Sequence, residues 1–188
     1  MLSNVYAIPH KIVLVRHADK LQQKFTGPAI SAKGYVRAIK FSFYYLNYFG
    51  EPDFVFAGKP KGKDASIREL QTVGPLINIL AVRHPDTVFN IMHPYQHDQY
   101  EKLAKYILQD KKFDNKSVLI CWRHTKIIEL AEALGVKDEL EPWADDDFDS
   151  VFVIEYDKSG KISRFNILRH QYPVNPTVTW EEIYYRYQ

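Results

Sequence analysis

Two short segments carry residues whose types suit phosphoryl-transfer chemistry. Arg16 and His17 follow one apolar run of the sequence, and Arg123 and His124 follow another. A neutral histidine nitrogen can attack phosphorus and so divide a hydrolysis into two easier steps. Arginine stays charged at any relevant pH and can donate paired hydrogen bonds to phosphoryl oxygens. The two segments together therefore predict a site that binds and transfers a phosphoryl group.

A third segment adds an arginine and nearby lysines. Arg68 lies near the predicted start of a helix, and the loop before that helix contains Lys59 and Lys61. Arg68 and His124 would complete a set of positive donors around the phosphoryl group. Lys59, Lys61 and Arg123 could bind the anionic substrate, although lysines in a loop with proline and glycine ordinarily serve only solubility.

Departure of an alkoxide also needs a proton donor near His17. Asp98 lies in the loop after the third predicted strand and is one candidate, although Asp98 and Glu101 also fit a helix-capping box. The sequence leaves the donor open, with three further aspartates as alternatives: Asp19, Asp146 and Asp147. A site that lacks any proton donor is the remaining alternative.

The elements that must position these residues alternate between strand and helix. Apolar, β-branched runs predict six strands, at 11–16, 53–57, 87–91, 116–122, 150–156 and 162–168, of which the first, second and fourth read as buried. Apolar residues at helical spacing predict four helices, at 31–50, 66–82 with a kink or break at Gly74 and Pro75, 96–109 and 125–134. The tail at 178–187 fits either a helix or a strand.

The order of these elements predicts an α/β fold of three layers. Strand and helix alternate four times before a closing hairpin with its turn at 157–160. We therefore expect a mostly parallel central sheet with helices on both faces and an antiparallel edge strand. Ligands bind beyond the carboxyl ends of strands in such sheets. The histidines and arginines follow predicted strands, so they should converge on one rim.

Bulk composition excludes several classes of protein. The 188 residues are 46% hydrophobic and 26% charged, which is typical of one globular domain spanning 1–188. A net charge of +2 gives no reason to expect a nucleic-acid or membrane partner. A single cysteine, Cys121, excludes an internal disulfide and suggests a reducing compartment. With no targeting segment visible, we expect a cytoplasmic protein.

A pair of histidines raises the question of a metal site. His93 and His97 are four residues apart, a spacing that binds metals when both lie on one helix. Pro94 would interrupt such a helix, and neither a cysteine nor a third histidine lies nearby in the sequence. We therefore predict no metal.

The motifs together resemble those of the histidine phosphatase superfamily, which includes the phosphoglycerate mutases. The resemblance covers about residues 11–135, and residues 121–124 and 143–150 look like a branch of small bacterial members. Residues 16–18 are similar to the superfamily's Arg-His-Gly or Arg-His-Ala motif, and residues 30–34 are similar to its Thr-x-x-Gly helix opening. Ser66, Arg68, Gln71 and Thr72 are similar to its Ser, Arg, Gln-Thr signature, and His124 is similar to its second histidine.

The resemblance implies hydrolysis of phosphomonoesters through a phosphohistidine on His17, with Arg16, Arg68 and His124 around the phosphoryl group and with no cofactor. The substrate would be a small phosphorylated molecule or a phosphoprotein. A mutase-type phosphotransfer and a non-catalytic phosphate-binding protein of the same fold remain alternatives, and the oligomeric state stays open.

The sequence departs from the family pattern at the proton donor. The mutase-like members take a glutamate from the loop after the third strand, and this chain has no clear equivalent. The acid-phosphatase-like members use an aspartate directly after the second histidine, where this chain has Thr125. Arg123 also stands where the closest relatives would have an acidic residue. These departures put the identity of the donor in doubt.

Overall fold

The central layer is a mixed sheet of six strands: β1, Lys11–Arg16; β2, Phe54–Ala57; β3, Ile91–Met92; β4, Ser117–Trp122; β5, Val151–Tyr156; and β6, Ile162–Leu168. The computed structural model describes residues 8–20, 27–62 and 65–174. The strand order is β3-β2-β4-β1-β5-β6, and β1 to β4 run parallel while β5 is antiparallel to both of its neighbours. The predicted mostly parallel sheet with an antiparallel edge is confirmed.

Four helices cover the two faces of this sheet: α1, Ala32–Phe49; α2, Arg68–Arg83; α3, Tyr100–Gln109; and α4, Ile127–Ala133. Successive side chains of a strand point to opposite faces. Accordingly Val13 and Val15 pack in one core cluster, which includes residues of α1 and α2, and Ile12 and Leu14 pack in another, which includes residues of α3 and α4. The predicted three layers are therefore confirmed.

The start of α1 is anchored to the chain that follows β1. Ser31 caps the helix by accepting a hydrogen bond from the Gly34 amide at 3.1 Å, and the Ser31 amide donates to the Asp19 carbonyl at 2.8 Å. A Cβ at position 34 would overlap the Asp19 carbonyl oxygen, so this close approach requires glycine. The helix ends at Gly50, whose φ of 76° lies in the region that favours glycine. The helix predicted at 31–50 is confirmed, with these two residues as its caps.

Two predicted elements differ in the structure. The strand expected at 87–91 is reduced to Ile91–Met92, because this edge strand pairs with β2 over only two residues and Val88 is exposed. The break expected at Gly74 and Pro75 is absent, and α2 continues through it. Gly74 has no Cβ to clash with the proline ring, and the neighbouring turns of the helix are buried. Core packing therefore overrides the helix-breaking tendency.

Smaller differences concern helix ends. The 66–82 helix begins at Arg68, and the 125–134 helix is preceded by a 3₁₀ turn, His124–Lys126. The expected capping box of Asp98 and Glu101 is wrong, since the box is formed by Gln96 and Gln99. The tail at 178–187 lies outside the described residues. In the described ranges, no helix is both long and apolar enough to cross a membrane.

Candidate active site

Strands β1 and β4 bring the two histidines to one rim. The strands are parallel neighbours in which Arg16 pairs with Trp122, so the residues that follow them leave the sheet side by side. The rings of His17 and His124 lie nearly perpendicular, with centroids 6.4 Å apart. His17 is only 3% exposed. The structure thus brings together two histidines that are 107 positions apart in the chain (124 − 17).

The orientation of His17 leaves one ring nitrogen available for chemistry. Its Nδ1 lies 2.8 Å from the carbonyl oxygen of Ala18, which can only accept a hydrogen bond, so Nδ1 carries the proton. The amide of Ala18 donates to Thr72 Oγ1 at 2.8 Å, which fixes this turn to α2. Nε2 of neutral His17 then presents its lone pair, as a nucleophile requires.

Burial keeps His17 neutral. Desolvation, helped by the charges of Arg16 and Arg68, lowers the pKa of His17 to about 4, while the Glu69 carboxylate and the Ala18 carbonyl oppose the shift. A group whose pKa is about 4 is deprotonated throughout the physiological range. The imidazole therefore has its nucleophilic form without needing a base to remove a proton.

This electrostatic environment gives a testable titration. The Cε1 proton signal of His17, assigned by comparison with His17→Gln, should titrate in NMR spectra with a midpoint near pH 4. A free imidazole titrates near pH 6.5, so the charged form should become populated only at distinctly lower pH. Titration of His17 at about 6.5 or above would show that the ring is not held neutral by burial.

Arg16 is almost wholly buried and is held from one side. Its Nη1 donates to the backbone carbonyl oxygens of Ala144, Asp145 and Asp147 at 2.9–3.0 Å, and its guanidinium carbon lies 3.9 Å from the centre of the Phe148 ring. Desolvation lowers the pKa of Arg16 to about 10, so the group stays charged. Nε and Nη2 make no hydrogen bond to any described residue. These two nitrogens form one edge of the guanidinium, suited to a bidentate oxyanion.

Arg68 lies near the same histidine but is fixed by a different segment. It is the first residue of α2, and its side chain donates to the carbonyl oxygens of Ala29 at 3.2 Å and Gly27 at 2.6 Å. Partial burial and the neighbouring charge of Arg123 lower the pKa of Arg68, against the opposing charge of Glu69. The like charges of Arg68 and Arg123 are thus held close together, and a bound anion would stabilise this arrangement.

His124 faces the acidic segment 144–149. Its Nε2 lies 2.8 Å from Asp145 Oδ1, although the Asp145 side chain is 93% exposed. Its Nδ1 is buried and makes no hydrogen bond to a described residue. Desolvation and the charge of Arg16 lower the pKa of His124, while Asp145 opposes the shift. Nδ1 can therefore donate to an oxyanion when the ring is protonated, because Nε2 carries the proton that faces Asp145.

Two of the four aspartate candidates for proton donor are already engaged elsewhere. Asp19 accepts hydrogen bonds from Arg37; burial alone would raise the pKa of Asp19, but Arg37 and Lys33 outweigh it and lower the pKa. The Asp147 carboxylate accepts from the Ser150 hydroxyl and from two backbone amides. The Arg37 contact stabilises the ionised form of Asp19, which is the wrong form for donating a proton, and the Asp147 carboxylate is occupied by its three donors.

The other two candidates lie in more open surroundings. Asp98 has a side chain 61% exposed, and its Oδ2 lies 3.4 Å from Lys61 Nζ. Asp146 is exposed, and its charge helps to keep Arg16 protonated. The role of Asp98 as proton donor stays a prediction.

Charged side chains also line a cleft of about 490 Å³ beside the histidines. It brings Arg68 together with Lys61, Asp98 and Arg123, which were predicted as site residues, and adds Lys126. Lys59 is exposed and does not line it. A larger concavity of about 1000 Å³ lies between α3, the end of α4 and the turn before β6. It is at the opposite end of the strands from His17, because Ile8 precedes β1 and Tyr156 ends the antiparallel β5. We therefore take the smaller, basic cleft as the entrance.

Sequence reasoning missed a buried carboxylate in this site. Glu69 is 1% exposed, and its Oε1 lies 3.2 Å from Nε2 of His97. A glutamate in the first turn of a helix is ordinarily a solvated residue, so its position gives no sign of burial. The sequence pattern drew attention to His97 only as one of a metal-binding pair with His93. In the described part of the chain, no group of three metal-ligating side chains is arranged to hold an ion.

Comparison with known proteins finds likeness at the level of structure. No protein-family model and no curated protein matches the sequence. The SixA protein from Agrobacterium tumefaciens aligns over 86% of this chain and 97% of its own, with a TM-score of 0.56 and 14% identity. A mycobacterial glucosyl-3-phosphoglycerate phosphatase aligns over 85% and 97%, with a TM-score of 0.52 and 12% identity.

A third structure is a phosphoglycerate mutase from Plasmodium falciparum, which aligns over 89% of this chain and 94% of its own, with a TM-score of 0.52 and 14% identity. The chain has the histidine phosphatase fold. This is the fold that the motifs predicted. The structural alignments cover 85–89% of the chain and so extend beyond residues 11–135, the span of the sequence resemblance. At these identities the likeness establishes the fold.

Proposed function

We propose that this protein is a histidine phosphatase that hydrolyses phosphomonoesters through a phosphohistidine on His17, and that residues 1–188 form one domain of this kind. The observation that carries the proposal is the state of His17. Its ring is neutral, and its Nδ1 donates a hydrogen bond to the Ala18 carbonyl. The preceding residue, Arg16, has an edge of two nitrogens without hydrogen-bond partners among the described residues. A nucleophile and an oxyanion-binding edge thus come from consecutive positions.

The reaction would proceed in two displacements. In the first, Nε2 of His17 bonds to phosphorus as the bond from phosphorus to the ester oxygen breaks, and the leaving oxygen takes a proton. In the second, water attacks phosphorus, the phosphorus–nitrogen bond breaks, and phosphate and neutral His17 are released. Arg16, Arg68 and His124 would hold the three non-bridging oxygens, whose charge they stabilise in both transition states.

The basic cleft would bind the remainder of the substrate. Lys61 and Arg123 line it together with Arg68, and Lys59 is exposed in the same loop as Lys61. The cleft is lined by four positive side chains and one carboxylate, which are those of Lys61, Arg68, Arg123 and Lys126 and of Asp98. This excess of positive charge would attract a phosphorylated molecule and raise its local concentration. We propose a phosphorylated small molecule or a phosphoprotein as the substrate. Lys59, Lys61 and Arg123 would bind the part of it that lies beyond the transferred phosphoryl group.

The proposal is tested by measuring phosphate release by the full chain from an aryl phosphate, phosphosugars, nucleotides and a phosphopeptide, with and without a chelator. We expect release from at least one substrate at a rate that the chelator does not change, since arginine and histidine supply the positive charge. Binding of phosphate without release from any substrate would favour the non-catalytic alternative. Loss of activity with the chelator and its recovery with a divalent ion would contradict the mechanism.

A further inference from the structure

Glu69 and His97 form a buried pair that the two displacements leave unused. The Glu69 carboxylate is 1% exposed, and the contacts that hold it are the Ser66 hydroxyl at 3.4 Å and Nε2 of His97 at 3.2 Å. A buried carboxylate is costly unless a positive group compensates it. His97 supplies that charge when its ring is protonated. A protonated His97 would therefore compensate the Glu69 charge and carry a proton at the edge of the site.

The ring of His97 is fixed by close packing on two strands. A Cβ at position 58 would overlap the ring, so the chain after β2 can pass His97 only because Gly58 is there. On the other side the ring meets Trp122 of β4 in an edge contact, with centroids 5.3 Å apart. Burial alone would raise the pKa of Glu69, but His97 and His17 outweigh burial and lower it. Glu69 therefore stays ionised beside a ring that cannot turn away.

The pair lies close to the nucleophile and to the cleft. The electrostatic interaction of Glu69 with His17 places the carboxylate close to that ring. His97 lines the basic cleft together with Arg68, whose charge also acts on His17. We place the leaving group of a phosphomonoester attacked by His17 in this cleft, since an in-line displacement expels it on the side opposite the nucleophile. A proton on His97 is thus available on the side where one is needed.

We propose that His97, positioned by Glu69, is the proton donor for the leaving group, an inference that rests on the proposed function. As His17 Nε2 bonds to phosphorus and the ester bond breaks, the Nδ1 proton of His97 passes to the leaving oxygen, while Nε2 keeps its proton toward Glu69. In the second displacement the attacking water gives its proton back to Nδ1 as the phosphorus–nitrogen bond breaks. Ester and water become alcohol and phosphate, and both histidines return to their initial forms.

The carboxylates near the cleft fit this role less well. Asp98 is mostly exposed and faces Lys61, whose hydrogen bond lowers the pKa of Asp98 and so favours the ionised form. Asp19 is held as a carboxylate by Arg37. His97 lines the described part of the cleft, and an imidazole can give a proton from one ring nitrogen and regain it from water.

The test is the dependence of rate on the leaving group. An alkyl phosphate expels a strongly basic alkoxide and needs a proton donor, whereas dinitrophenyl phosphate expels a weakly basic phenolate and does not. We expect His97→Gln to lower kcat/KM for the alkyl phosphate by about 10²–10⁴-fold and to leave dinitrophenyl phosphate almost unaffected. Glu69→Gln, which removes the charge that positions His97, should show the same selectivity to a smaller extent. The matched control is His93→Gln, an exposed histidine of the same loop, which should change neither rate.

The outcomes separate this inference from the proposed function. If His97→Gln lowers both rates equally, or neither, His97 is not the donor, while the phosphatase activity of the wild type stands. If the wild type releases phosphate from neither compound, the proposed function fails first. Should His97→Gln not fold, the wild type carries the test alone, because an enzyme with a proton donor shows rates that depend weakly on leaving-group basicity. A steep dependence in the wild type would overturn the proposal.

Discussion

Phosphatase turnover in His17→Ala is expected to fall by on the order of 10⁶-fold, since loss of a covalent nucleophile costs about that much in a serine protease. The substitution removes the nitrogen that bonds to phosphorus and leaves the arginines in place. The residual rate should still exceed that of the uncatalysed reaction, because the arginines continue to bind the phosphoryl group. The measurement is kcat/KM for phosphate release with the best substrate from the panel.

The control for this variant is His93→Ala, which removes an exposed histidine after β3 and should retain full turnover. Both variants should show the circular dichroism spectrum of the wild type, because the His17 side chain makes a single hydrogen bond to the described residues, to the carbonyl of Ala18. If folded His17→Ala keeps more than a few per cent of wild-type turnover, His17 is not the nucleophile.

Arg68→Ala is expected to have the second largest effect. It removes a charged donor but keeps the nucleophile, so turnover should fall by roughly 10²–10³-fold, which corresponds to about 2.7–4 kcal/mol of transition-state stabilisation. The residual activity should still depend on His17. His124→Ala should resemble Arg68→Ala if His124 serves only to bind the phosphoryl group. The measurement is kcat of each variant alone and combined with His17→Ala.

A matched control exists within the same helix. Arg83, at the other end of α2, forms a half-exposed ion pair with Glu51 and lies far along the helix from the site. Arg83→Ala should therefore leave turnover unchanged. Because Arg68 also binds the carbonyls of Gly27 and Ala29, Arg68→Lys provides a second variant that keeps a charge there. Equal turnover in Arg68→Ala and the wild type would show that Arg68 does not contact the reacting group.

The parts of the fold that could be predicted are those that local sequence determines. β1 and β4 are buried on both faces, so their apolar runs are long and unbroken and mark the strands within one residue. β3 was misplaced because an edge strand that pairs over two residues leaves almost no pattern in the sequence. The helix at 66–82 was predicted, but the absence of a break at Gly74 and Pro75 depends on packing that comes from other elements.

The same distinction applies to the site. His17 and His124 could be placed together because both follow parallel strands, and the topology alone brings such positions to one rim. The carbonyl oxygens of Ala144, Asp145 and Asp147 that bind Arg16 could not be predicted, since any residue type has a carbonyl. Glu69 and His97 come from separate segments, and their contact depends on the space left at Gly58.

The central claim, that His17 carries the phosphoryl group during turnover, is tested most directly by trapping the phosphoenzyme. Wild-type protein is mixed with a labelled substrate and quenched within milliseconds in alkali, where phosphohistidine survives, and the labelled peptide is identified by mass spectrometry. We predict label on the peptide that contains His17, label on the same peptide in Arg68→Ala, and none in His17→Ala. Label on His124 that persists in His17→Ala would contradict the account and reverse the roles of the two histidines.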